Sequence, residues 1–155
     1  FGMILRGIAH NIPCAVVQFI KGTWQTGERE FLEKRFQKEC IFIVSGEGFT
    51  WETQNRELDI SAAKSGWEKA KELIRNSEIK FILLDEINIA LRYDYLDINE
   101  VVDFLLHEKP FMTHVVLTGR NAKDEWIEAA DLVTEMSLIK HPFRDGIKAQ
   151  KGIEF

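Results

Sequence analysis

The stretch FILLDE at 81–86 runs four apolar residues directly into two carboxylates, Asp85 and Glu86. A buried strand that delivers paired acids to its tip suits a site where acids hold or orient a magnesium ion and its waters beside nucleotide phosphates. The same residues also read as a strand ending in ordinary solvated acids. At 118–120, TGR places a hydroxyl, a glycine and a guanidinium after a second apolar run, and Lys21 with Gly22 follows a third. Arg120, through planar bidentate bonds, and Lys21, as a point charge, are suited to cradling a triphosphate. Pairing of Arg120 with an acid such as Asp85 is the competing reading.

Aromatics raise the opposite chemistry. GFTW at 48–51 puts Phe49 and Trp51 in a segment whose neighbours Gly46, Gly48, Thr50 and Thr53 offer little apolar surface. The pair fits either a small satellite core or a flat apolar ligand. His10, His107, His114 and His141 are scattered, without the i,i+3 or i,i+4 pairing to another histidine or cysteine that a metal site uses. No GxSxG elbow or other nucleophile signature is present. Cys14 and Cys40 lack CxxC spacing and read as two reduced, buried thiols.

The elements that must position these residues follow from hydrophobic pattern. AVVQFI, IFIV, FILLD and HVVLTG are short, nearly continuous apolar runs, as expected for strands covered on both faces. Between them GEREFLEKRF, AKSGWEKAKELIRN, INEVVDFLLHEK and AKDEWIEAADLV carry helical patterns. In the second of these, Trp67, Ala70 and Ile74 share one face while Lys64, Glu68, Lys71 and Glu72 stay wet. Asp97 or Asn99 is placed to cap the third helix and Asn121 the fourth. FGMILRGIAHN reads as the later turns of an apolar helix, with Asn11 and Pro13 as stop signals.

Alternation of this kind predicts an α/β fold with a parallel sheet flanked by helices. Ligands in such sheets bind outside the carboxyl ends of the strands, which selects the loops QFIKGTW, SGEGFTW, DEIN and TGRN. With 155 residues and 45% hydrophobic composition, residues 1–155 make one domain. Twenty basic against 25 acidic side chains, a net charge of -5, leave no electrostatic footprint for nucleic acid or an anionic membrane. No apolar run approaches the ~18 residues that a membrane span needs, and the expectation is a cytoplasmic protein.

Taken together, VVQFIKGTWQTGE, GFTWETQN, FILLDE, YDYL, TGRNA and KHPFRDGIKAQKGIEF, in this order, closely resemble the ATP:corrinoid adenosyltransferases of the cobalamin-salvage type. The likeness runs from about Val16 to Phe155. It implies a P-loop NTPase (RecA-like) α/β domain, usually a homodimer. Such an enzyme moves the 5′-deoxyadenosyl group of ATP onto the cobalt of a reduced corrinoid and releases triphosphate. A reductant protein such as a flavodoxin is a further implied partner.

By matching position, the resemblance makes Phe49 and Trp51 the catalytic aromatics under the corrin's lower face, where they displace the lower axial ligand. Glu86, with Asp85, serves the magnesium site, and Arg120 touches phosphate or the adjoining wall. Lys148 and Gln150 fall in the late nucleotide-site segment. Asn55 and Arg56 orient the GFTW loop. YDYL, Tyr93 to Leu96, reads as helix packing.

The resemblance departs at the first residues. In the family a GNGKGKT-type P-loop precedes the helix that FGMILRGIAHN would form, and no internal stretch matches GxxxxGK[ST]. The chain is therefore expected to be N-terminally incomplete, with the first strand and the P-loop missing and a gap left in the sheet. Two other functions stay open: a P-loop ATPase that yields orthophosphate, and a corrinoid-binding module without catalysis.

Overall fold

The structure is a computed structural model that describes residues 1–19, 26–45 and 56–153. Lys21, Phe49, Trp51 and Asn55, all singled out above, lie outside the described residues. The elements run α1 (Gly2–Ala9), β1 (Cys14–Gln18), α2 (Gly27–Arg35), β2 (Cys40–Val44), α3 (Arg56–Arg75), β3 (Phe81–Asp85), α4 (Ile87–Arg92), α5 (Ile98–His107), β4 (His114–Leu117) and α6 (Asp124–Ala129), followed by a 3-10 turn at Pro142–Asp145.

All strand pairings are parallel, in the order β2-β1-β3-β4. The two inner strands are the most apolar: every residue of β1 is buried, as are Ile82 to Asp85 of β3. The outer strands are wetter, with Ile41 of β2 44% exposed and His114 of β4 exposed. Alternate residues of the inner strands feed two cores, the period-2 geometry of a pleated sheet. Ala15, Val17, Ile82 and Leu84 pack with Trp67, Ala70 and Ile74 of α3 and Phe104 of α5. Cys14, Val16 and Leu83 pack with Ile4 and Ile8 of α1 and Leu32 of α2.

The register overturns one expectation. Residues 14–18 of β1 pair one to one with 81–85 of β3, and β1 pairs on its other side with β2. Each strand in the order is hydrogen-bonded to the next, so the described sheet has no interior gap where a missing first strand would sit. The expected gap is therefore not seen among the described strands.

Helix limits differ in instructive ways. α3 starts at Arg56, a turn and more ahead of the apolar pattern, with Glu57 and Asp59 in its first turn, where the helix dipole favours acids. Asp97 caps α5, its Oδ1 accepting from the Asn99 N–H over 2.8 Å. The predicted Asn121 cap is wrong: Lys123 is the N-cap of α6, and Asn121 sits in the left-handed region at φ 56. α6 also stops at Ala129, and from Asp131 to Ile153 all residues are exposed. Both cysteines are buried free thiols. Among the described residues, no helix is long and apolar enough to cross a membrane.

Candidate active site

The carboxyl ends of β1, β3 and β4 bring Gln18, Asp85 and Thr118 together. Register alone sets Gln18 beside Asp85, and Leu117 beside Leu84 places Thr118 next along. Asp85 is 7% exposed, and each of its carboxylate oxygens accepts a hydrogen bond. Gln18 Nε2 donates to Oδ2 over 2.8 Å, and the Thr118 hydroxyl donates to Oδ1 over 3.0 Å. Such bonds compensate a buried charge that would otherwise be costly.

Glu86 turns the chain out of the sheet. It is the N-cap of α4 in the left-handed conformation, φ 63 and ψ 17, a geometry that costs about 1–3 kcal/mol outside glycine and persists only where its surroundings enforce it. The enforcement is visible: the Glu86 N–H donates to Thr118 Oγ1 over 3.0 Å, and the Asn88 N–H donates to the Thr118 carbonyl over 3.3 Å. Gly119 lies so close to α4 that a Cβ there would stand 2.8 Å from Asn88 Cβ, and its φ of +131 is one that side chains rarely adopt. The glycine of TGR is thus required by the approach of this loop to α4.

Two buried oxygens at this end, Gln18 Oε1 and Asn88 Oδ1, have no hydrogen-bond partner among the described residues. Both are hard oxygen donors, as are the neighbouring carboxylates of Asp85 and Glu86. Magnesium beside phosphates takes only one or two carboxylates, so this pair fits it without a larger cluster. Groups of three or more His, Cys, Asp or Glu able to hold a metal are absent among the described residues.

The remaining predicted residues separate. Arg120 follows Gly119 and is exposed, with no hydrogen bond or ion pair among the described residues. Asp85 is held by Gln18 and Thr118 instead of by that arginine. Lys148 and Gln150 lie in the exposed stretch after the 3-10 turn. Arg56, first residue of α3, donates from Nη2 to the Tyr93 carbonyl over 3.3 Å. YDYL lies between α4 and α5 with mixed burial: Leu96 is buried and Tyr93 exposed, the Tyr93 and Tyr95 rings stack at 5.7 Å, and Tyr95 OH donates to Asp59 over 3.3 Å. Burial first, then the Asp59 charge, raises the Tyr95 pKa.

A separate open groove of about 650 Å³ lies beside α3, with Lys64, Trp67, Asp94, Tyr95 and Lys123 among its lining. It shares no residue with the strand-tip cluster. Gln18 and Asn88 were missed from sequence. A glutamine inside the otherwise apolar AVVQFI was the available clue, since a buried amide needs a partner.

The ATP:corrinoid adenosyltransferase BtuR/CobO/CobP family model matches residues 1–155. The chain belongs to this family. It is 69% identical over 155 residues to a corrinoid adenosyltransferase of Sinorhizobium sp, covering 100% of this chain and 72% of that protein. The corrinoid adenosyltransferases of Pseudomonas aeruginosa and Escherichia coli K12 are 50% and 43% identical, again over 100% of this chain and over 75% and 77% of their own lengths. The match runs over residues 1–155, so the likeness begins at Phe1 and not near Val16. The fold is accordingly that of the corrinoid adenosyltransferase family, and the RecA-like P-loop class is withdrawn. As a member, the chain is an enzyme, an ATP:corrinoid adenosyltransferase whose substrates are ATP and a corrinoid.

Proposed function

We propose that this adenosyltransferase holds the phosphate end of ATP at the tips of β1, β3 and β4 while the reduced corrinoid is seated by the segment that carries Phe49 and Trp51. The reaction forms adenosylcobalamin. The cobalt(I) electron pair makes the bond to the ribose 5′ carbon, the C5′–O bond breaks, and its electron pair leaves on triphosphate, so cobalt goes formally from I to III. The nucleophile belongs to the corrinoid; the chain supplies orientation, charge and exclusion of water.

The observation that carries the reading is the buried Asp85, braced by Gln18 and Thr118 directly beneath Glu86. Glu86, with Asp85 behind it, would hold magnesium, which offsets charge growing on the leaving triphosphate when bound. Arg120 and Lys21 add cationic donors to the phosphates, and Lys148 and Gln150 complete the nucleotide side. Phe49 and Trp51 keep the corrin's lower face dry and without an axial donor. The enzyme works as a cytoplasmic homodimer supplied with electrons by a flavodoxin-like protein.

The test is anaerobic loss of cob(I)alamin absorbance on addition of MgATP, with the phosphorus product identified. Adenosylcobalamin with intact triphosphate is expected. Orthophosphate without a cobalt–carbon product would replace this reading by ATP hydrolysis, and a spectral shift without product by a corrinoid-binding module.

A further inference from the structure

We propose that Thr118 is a positioning residue that fixes Glu86 for the divalent cation, with Asp85 acting through it; this rests on the reading of the β3 tip as the magnesium end. A threonine hydroxyl has one proton to give and lone pairs to receive. Here the proton goes to Asp85 Oδ1 and a lone pair accepts the Glu86 N–H, each over 3.0 Å. The Glu86 N–H can only donate, so the hydroxyl oxygen receives there and its own proton is left for Asp85.

The threonine backbone is fastened to the same elements. Its N–H donates to the Leu84 carbonyl over 3.1 Å, and its carbonyl accepts from the Asn88 N–H over 3.3 Å. Thr118 therefore bonds β3 on one side of Glu86 and α4 on the other, and pins the residue between them in its left-handed conformation. Asp85, gripped on Oδ2 by Gln18 as well, is the anchor of this brace. The two acids divide the work: Glu86 meets the cation, and Asp85 orients Glu86 through the hydroxyl. Outer partners of this kind change metal affinity by about 10–100-fold when removed.

The experiment compares Thr118→Val, Thr118→Ser and Glu86→Gln with the wild type. Mn²⁺ binding in the presence of ATP is followed by electron paramagnetic resonance, and thermal unfolding of each variant is recorded alongside. Thr118→Val is expected to weaken Mn²⁺ binding by about 10–100-fold while remaining folded, and Thr118→Ser to restore it. Should the valine variant not fold, Thr118→Cys, which drops the γ-methyl and leaves only a weak donor, is compared with Thr118→Ser, which drops the same methyl and keeps the hydroxyl. Wild-type Mn²⁺ affinity in Thr118→Val or Thr118→Cys, with binding lost in Glu86→Gln, overturns the role of Thr118 and leaves the metal reading standing. Retained binding in Glu86→Gln overturns the metal reading and the proposal with it.

Discussion

Gln18 and Asp85, 67 positions apart, meet across the β1–β3 boundary, the glutamine Nε2 donating to the carboxylate over 2.8 Å. Gln18 is fully buried. Replacing it by leucine keeps the strand apolar but strips a charge-assisted bond from a buried carboxylate. The expected loss is about 1–3 kcal/mol at neutral pH, read from urea unfolding. Unchanged stability in Gln18→Leu would show that the bond to Asp85 adds nothing net to the fold.

Gly119→Ala tests the fit between the TGR loop and α4. The new Cβ would meet Asn88 Cβ at 2.8 Å in a backbone conformation side chains rarely adopt. Strain of about 1–3 kcal/mol is expected, with turnover falling because the loop carries Thr118 and Arg120. A wild-type melting temperature together with wild-type turnover would mean the loop stands off from α4 in solution.

The sheet was legible because its inner strands are apolar on both faces, and Trp67, Ala70 and Ile74 marked the buried stripe of α3 unaided. α4 escaped notice: INIALR is six residues, too short for a helical period to declare itself, and Glu86 opens it without a side-chain cap. Asp85 and Glu86 stood out as acids at a strand end. Gln18 did not, since its partner lies in another strand and only register brings them together. Asn121 looked like a cap by type, yet its left-handed backbone places it in the turn before α6.

Cys40 makes stability depend on alkaline pH. Burial first, and the neighbouring Cys14 thiol second, push its pKa from 9.0 up to about 12. The folded chain thus favours the neutral thiol. That contribution is complete below pH 9.0 and declines as pH rises toward 12, because the unfolded chain ionises first. The slope from this one group approaches about 1.4 kcal/mol per pH unit. Urea unfolding between these limits should show the decline in wild type and a shallower one in Cys40→Ala. Identical slopes would remove Cys40 as its source. The native thiol should also resist alkylation at pH 8 and react on unfolding.

Trp51→Ala separates the corrinoid half of the reaction from the nucleotide half. A lower axial donor raises the filled cobalt orbital along that axis and makes reduction to cobalt(I) harder, so an aromatic that displaces the donor favours the nucleophilic state. The residues that bind phosphate in the proposal are other ones, Arg120 and Lys21 with Glu86 and Asp85. The variant is therefore expected to keep its ATP affinity while losing the four-coordinate cobalt(II) signal in electron paramagnetic resonance, and Phe49→Ala to weaken that signal. Turnover with chemically prepared cob(I)alamin should fall less than turnover that starts from cobalt(II), since the former bypasses the reduction that the aromatics are proposed to ease. An unchanged cobalt(II) spectrum in Trp51→Ala would take that residue out of the role, and equal losses in both assays would move its action from reduction to corrinoid binding.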